Sequence, residues 1–103
     1  MISALLKRPG EVPRHVNVSD RLETLQKTVE GYVECITVAT DMVILCNEDG
    51  KLRGLPYNCT ICGMDLVGTI LMVGADENGF TDLPVDWKTM KKLFPDLWKE
   101  GAA

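Results

Sequence analysis

Two periods of apolar residues run along this chain and divide it into helices and strands. Leu22, Leu25 and Val29 recur at i, i+3 and i+7, one face of a helix. Asp20 predicts the N-cap, with Glu23 at the capping-box spacing, and Gly31 predicts the stop. A second helical face, Trp87, Met90 and Phe94, lies between Pro84, which predicts the opening, and Pro95, which predicts the end. Elsewhere the pattern is that of strands. Met1 to Lys7 and Arg14 to Val18 flank a breaker-rich loop from Pro9 to Pro13. Tyr32 to Val38 and Met42 to Asn47 are β-branched and apolar, with the short link Ala39-Thr40-Asp41 between them. Val67 to Val73 reads as the most buried strand, and Glu77-Asn78-Gly79-Phe80 as a tight turn.

The links decide the class. Asp49-Gly50 suits a two-residue hairpin turn, which would set Glu48 opposite Lys51. Beyond Gly54-Leu55-Pro56 the pattern turns irregular as far as Cys62. Links this short leave no room for helical crossovers. The expectation is therefore an α+β fold in one domain, residues 1–103. It has a mainly antiparallel sheet of five to six strands, with two amphipathic helices packed on one face.

Composition narrows the function. With 46% hydrophobic and 25% charged residues, the 103-residue chain has the usual mix of a globular domain. No apolar run reaches the ~18 residues of a membrane span. The basic pair Lys7-Arg8 follows its apolar stretch, the reverse of a secretion signal, so a cytoplasmic location is expected. A net charge of −4 argues against direct nucleic-acid binding, which needs a basic footprint. The run from Gly54 to Trp87, with acids and no base, reads as a solvated face.

The side chains that could carry chemistry are few. Cys59 and Cys62 have the C-x-x-C spacing of half a zinc site or a redox pair, but Cys35 and Cys46 sit in apolar strands as small hydrophobes. His15 is the one histidine, too distant in sequence to complete a zinc set at readable spacing, and Gly63 argues against a redox helix. With only Ser3 and Ser19 as serines and no orienting acid at readable spacing, a Ser-His-acid hydrolase is not expected. Asp76-Glu77-Asn78-Gly79 lacks the alternating oxygen ligands of a calcium loop. The expectation is no metal, no cofactor and no catalytic residue.

Asn47 to Asn58, NEDGKLRGLPYN, is the informative segment. Lys51 and Arg53 share one face if it is extended, Asn47 and Asn58 bracket it with amides, and Tyr57 offers a ring. These five residues suit a small anion or nucleotide, with Arg binding bidentately, Asn reading polar edges and Tyr stacking. A solvated hairpin followed by a turn is the alternative.

The run LETLQKTVEGYVECITV, then CNEDGKLRGLPYN and VGTILMVGADENGFTDL, resembles a small family of unknown function encoded by bacteriophages, prophages and conjugative elements. The resemblance is most specific at Gly31-Tyr32, Asn47 with Gly50, Gly54-Leu55-Pro56 with Asn58, and Gly68-Thr69 with Val73-Gly74. The family pattern lacks the C-x-x-C and carries no established reaction. It implies a non-enzymatic binding protein that counters host defence, by sequestering a nucleotide-like signal or by masking a host defence protein. A small nucleotide-acting enzyme and a structural interaction module are the alternatives. A homodimer is also expected, because a domain this small rarely walls off a pocket alone. Phe94, Leu97 and Trp98 offer apolar surface for that contact, or for folding back over the chain's own sheet.

Overall fold

The structure is a computed structural model that describes residues 1–98. The strands are β1 (Ile2–Lys7), β2 (Arg14–Val18), β3 (Val33–Ala39), β4 (Met42–Asn47), β5 (Tyr57–Ile61), β6 (Met64–Val67), β7 (Ile70–Asp76) and β8 (Gly79–Thr81). The helices are α1 (Leu22–Val29) and α2 (Trp87–Leu93), the latter followed by a 3-10 turn, Pro95–Trp98. The fold is α+β, as the pattern predicts. Its main sheet runs β2-β1-β7-β4-β3, with β8 also on β7, and every pairing is antiparallel.

The helices do not share a face of this sheet. Leu25 and Val29 of α1 pack with Ile2, Ala4, Leu6, Val43, Leu45, Leu71 and Val73. Met90 of α2 and Leu97 of the 3-10 turn pack with the alternate positions, among them Leu5, Met42, Ile44, Ile70 and Met72. The reason lies in the strands themselves. All of β4 is buried, as is β7 from Ile70 to Gly74, so both faces of the central pair need a cover. A single α-helical layer would leave one of those faces in water. Leu97 is 2% exposed, so this segment folds back over its own sheet and does not offer Leu97 to a partner.

The region expected to be irregular is a hairpin. β5 and β6 pair antiparallel as a separate two-stranded sheet, whose Cys59, Ile61 and Leu66 join the α2-side core. Its two-residue loop is Cys62-Gly63, with φ of 51° and 76°. Positive φ at both central positions is what a twisted hairpin requires. The buried strand begins later than expected, at Ile70, after Gly68.

The helix ends also differ in detail. Arg21, not Asp20, is the N-cap of α1, and it makes no side-chain capping bond; Ser19 Oγ instead accepts from the Arg21 N–H at 3.2 Å. α2 starts after Pro84, with Asp86 as N-cap accepting from the Thr89 N–H at 2.8 Å. That bond and the nearby lysines hold the Asp86 carboxyl below its ordinary range. Among the described residues, no helix is long and apolar enough to cross a membrane.

Candidate functional site

The C-terminal end of α1 draws in polar side chains from distant parts of the chain. Its closing residue is Glu30, in the left-handed region at φ 63°, a conformation that a non-glycine residue adopts only when its surroundings hold it there. Two side chains from far along the chain do so. Asn47 Nδ2 donates to the Val29 and Glu30 carbonyls at 3.0 and 3.1 Å, and Arg53 Nη1 donates to the Glu30 carbonyl at 2.5 Å. The last carbonyls of a helix lack intrahelical partners, so these donors meet a standing need. Gly31 is required next to them. A Cβ there would lie 2.6 Å from Asn47 Nδ2 and 3.1 Å from Arg53 Nη1.

The segment after Asn47 does not form the predicted hairpin, and Lys51 does not pair with Glu48. Asn47 Oδ1 accepts from the Asp49 N–H at 2.8 Å and starts a turn. Residues 48–54 then coil, with Arg53 N–H on the Asp49 carbonyl at 2.9 Å and Leu55 N–H on the Gly50 carbonyl at 3.0 Å. Lys51 and Arg53 therefore share no strand face. Coiling swings Arg53 back onto α1.

The result is an open cleft of about 620 Å³ between α1 and this coil. Arg53, Asn47 and Lys27 line it, together with Glu23, Glu30 and Asp49. Tyr32 also lines it, 68% exposed, with its ring free to meet a ligand. Gly31-Tyr32 belongs to the family resemblance, yet nothing local marks Tyr32 as a site residue.

The other three expected residues lie elsewhere. Lys51 lines a separate cleft of about 350 Å³ beside Glu34, Glu48 and Asp65. Tyr57 is 40% exposed, and its hydroxyl shares a 2.6 Å hydrogen bond with Thr60 Oγ1, which donates to Asp65 at 2.7 Å. Asn58 is 0% exposed and cannot touch a ligand. Its Nδ2 donates to the Lys7 and Gly68 carbonyls at 2.8 and 2.7 Å, and its Oδ1 accepts from Lys7 Nζ at 2.8 Å. Lys7 is itself only 3% exposed, and burial lowers its pKa. Asn58 is thus the counterpart of a buried ammonium that sequence reasoning missed.

The cysteines separate by strand and turn. Cys46 and Cys59 are buried free thiols, pushed up to about 11 mainly by desolvation, while Cys35 and Cys62 are exposed. Among the described residues, no three His, Cys, Asp or Glu side chains gather as a metal set. We expect iodoacetamide at neutral pH to alkylate Cys62 in the folded protein, Cys35 more slowly because partial burial raises its thiol pKa, and to spare Cys46 and Cys59, because only a thiolate within reach reacts. Mass mapping that finds Cys59 modified as fast as Cys62 would contradict this assignment.

Ser3 Oγ and His15 Nε2 lie 2.5 Å apart beside a cleft of about 480 Å³. Asp82 accepts from the Ser3 backbone N–H at 2.7 Å, which leaves that contact on the backbone and not on the imidazole. The pair has the residue types of a nucleophile and a base, and among the described residues no third group hydrogen-bonds the ring to orient it.

Fold and site together define a small α+β domain whose helix terminus, tied down by Asn47 and Arg53, forms one wall of a mixed-charge cleft. The chain belongs to the family described as Domain of unknown function (DUF3846), whose model matches residues 2–95. No curated protein and no solved structure matches it.

Proposed function

We propose that this chain is a binding protein that holds a small nucleotide-like anion in the cleft at the end of α1 and releases it unchanged. The supporting observation is the pairing, in one cleft, of the Arg53 guanidinium with the exposed Tyr32 ring. Arg53 spends one N–H on the Glu30 carbonyl, which fixes its head and leaves further donors for a phosphate or carboxylate. Tyr32 supplies a face on which a base can stack.

The acids set the charge of the ligand. Glu23, Glu30 and Asp49 outnumber Lys27 and Arg53 along the lining, so a polyphosphate would meet repulsion. A nucleoside monophosphate suits the lining better. Its phosphate faces Arg53, while ribose hydroxyls and exocyclic amines donate to the carboxylates. In the setting that the family resemblance implies, a phage or mobile element would use such a site to keep a signal from host defence. A host defence protein docked on the same surface is the second partner, with Arg53 and Tyr32 as its anchors.

The test uses adenosine and guanosine monophosphates as probes. Calorimetry should show saturable binding of at least one, and denaturation afterwards should return the nucleotide intact. Arg53→Ala should weaken binding by about 1.5–3 kcal/mol, with stability changed by less than ~1 kcal/mol because the side chain is exposed. Absence of binding by either probe overturns the nucleotide reading. Recovery of a converted nucleotide would favour an enzyme, for which the Ser3–His15 pair is the place to look.

A further inference from the structure

β3 closes one end of the main sheet. Natural sheets guard such an edge with charge, proline or brevity, because its free N–H and C=O groups recruit other strands. The opposite edge, β2, is short, starts Arg14-His15 and is preceded by Pro13. β3 has seven residues, VECITVA, with no proline, no basic residue and one acid, Glu34.

The register shows which groups are free. The Tyr32 carbonyl accepts from the Glu48 N–H at 2.8 Å, so the Tyr32 backbone faces β4. In an antiparallel ladder this alternates, and the unbroken register from Val33 to Thr37 turns Glu34 and Ile36 toward β4 as well. Val33, Cys35 and Thr37 therefore point an N–H and a C=O each away from the sheet. Among the described residues none of these groups bonds another element. The side chains of Glu34, Cys35 and Thr37 are exposed.

We propose that β3 is a self-association edge, pairing antiparallel with β3 of a second copy about a two-fold axis at Cys35. That centre sets Cys35 opposite Cys35 and Val33 opposite Thr37 in both directions, so every outward group on each strand finds a partner. It also sets Glu34 opposite Ile36 and never opposite the other Glu34, which avoids like charges in register. The occupant is a second copy because the strand matches itself in length and hydrogen-bond register and brings no like charges together. The same pairing sets Val38 of the partner subunit beside Tyr32, at the rim of the cleft.

Sedimentation equilibrium of the full chain should show a dimer of the 11.4 kDa protein. Cys35→Pro removes an N–H that faces away from β4, so the chain's own ladder survives while the dimer loses its central pair of bonds. The dissociation constant should rise about 100-fold, two hydrogen bonds' worth. Cys35→Lys, which sets two cations face to face, should act in the same direction. On a Cys62→Ser background, a short bismaleimide should join two chains through Cys35, since Cys46 and Cys59 are buried. A monomer at the highest soluble concentration overturns the proposal. So does a dimer that both Cys35 variants leave intact.

Discussion

Asn58→Ala is expected to destabilise the domain by about 3–5 kcal/mol, the range for stranding a buried charge. Among the described residues the amide is the side-chain hydrogen-bond partner of Lys7 Nζ, and its Nδ2 ties the Lys7 and Gly68 carbonyls together. Alanine removes all three bonds and leaves the Lys7 ammonium, in a site 3% exposed to water, with the longer 3.3 Å bond to the Asn58 backbone carbonyl in place of its 2.8 Å partner. The same clasp joins the β5–β6 hairpin to β1, so its loss should loosen that hairpin first. The variant cannot serve as a test of ligand binding. Lys7→Met in the Asn58→Ala background should restore part of the loss, because it removes the charge that the deletion strands. Urea denaturation of the four proteins measures the coupling; equal losses with and without Lys7 would dismiss it.

The pH dependence carries a second signature of the same clasp. Desolvation lowers the folded-state pKa of Lys7 below its usual 10.5, so the folded chain binds fewer protons than the unfolded one just below that value. Its contribution to stability therefore rises with pH across that window. Cys46 and Cys59 act with the opposite sign. Their folded values near 11 stand above the ordinary thiol range, so their contribution is complete below pH 9 and is lost as pH rises toward 11. Lys7→Met should leave only the thiol-driven fall.

The sequence reveals elements more readily than partners. Apolar runs and turn residues place β1, β4, β7 and both helices because each signal is local. The expectation of both helices on one face overlooks a signal that is present: Met42 to Cys46 and Ile70 to Val73 are apolar at every position and so must bury both faces. Helix periodicity alone does not say which face a helix covers. The site resists reading for a different reason. Asn47 and Asn58 stand out as amides bracketing one segment, yet their partners are Val29 and Glu30 in one case, Lys7 and Gly68 in the other. Those pairings arise from the fold, and no spacing in the chain encodes them. Arg53 meets α1 only because Asn47 starts a coil where Asp49-Gly50 suggests a hairpin.

Asn47→Ala should cost about 2–4 kcal/mol and abolish ligand binding together with the cleft. The residue is 5% exposed and bonds three backbone groups: the Val29 and Glu30 carbonyls and the Asp49 N–H. Its loss frees Glu30 from the left-handed conformation and releases the coil that carries Arg53. Asn47→Asp separates this structural role from a role in recognition. The carboxylate keeps the bond from Asp49 but turns an acceptor toward two carbonyls at the negative end of a helix, where only donors are favourable. Burial and that field should raise the introduced carboxyl above its ordinary value, so this variant gains stability as pH falls and its acid protonates. A ligand contact alone would predict the reverse pattern: native stability in both variants and impaired binding only. Denaturant titrations of Asn47→Ala and Asn47→Asp at neutral and mildly acidic pH decide between them, and a wild-type midpoint for Asn47→Ala would remove Asn47 from the architecture of the cleft.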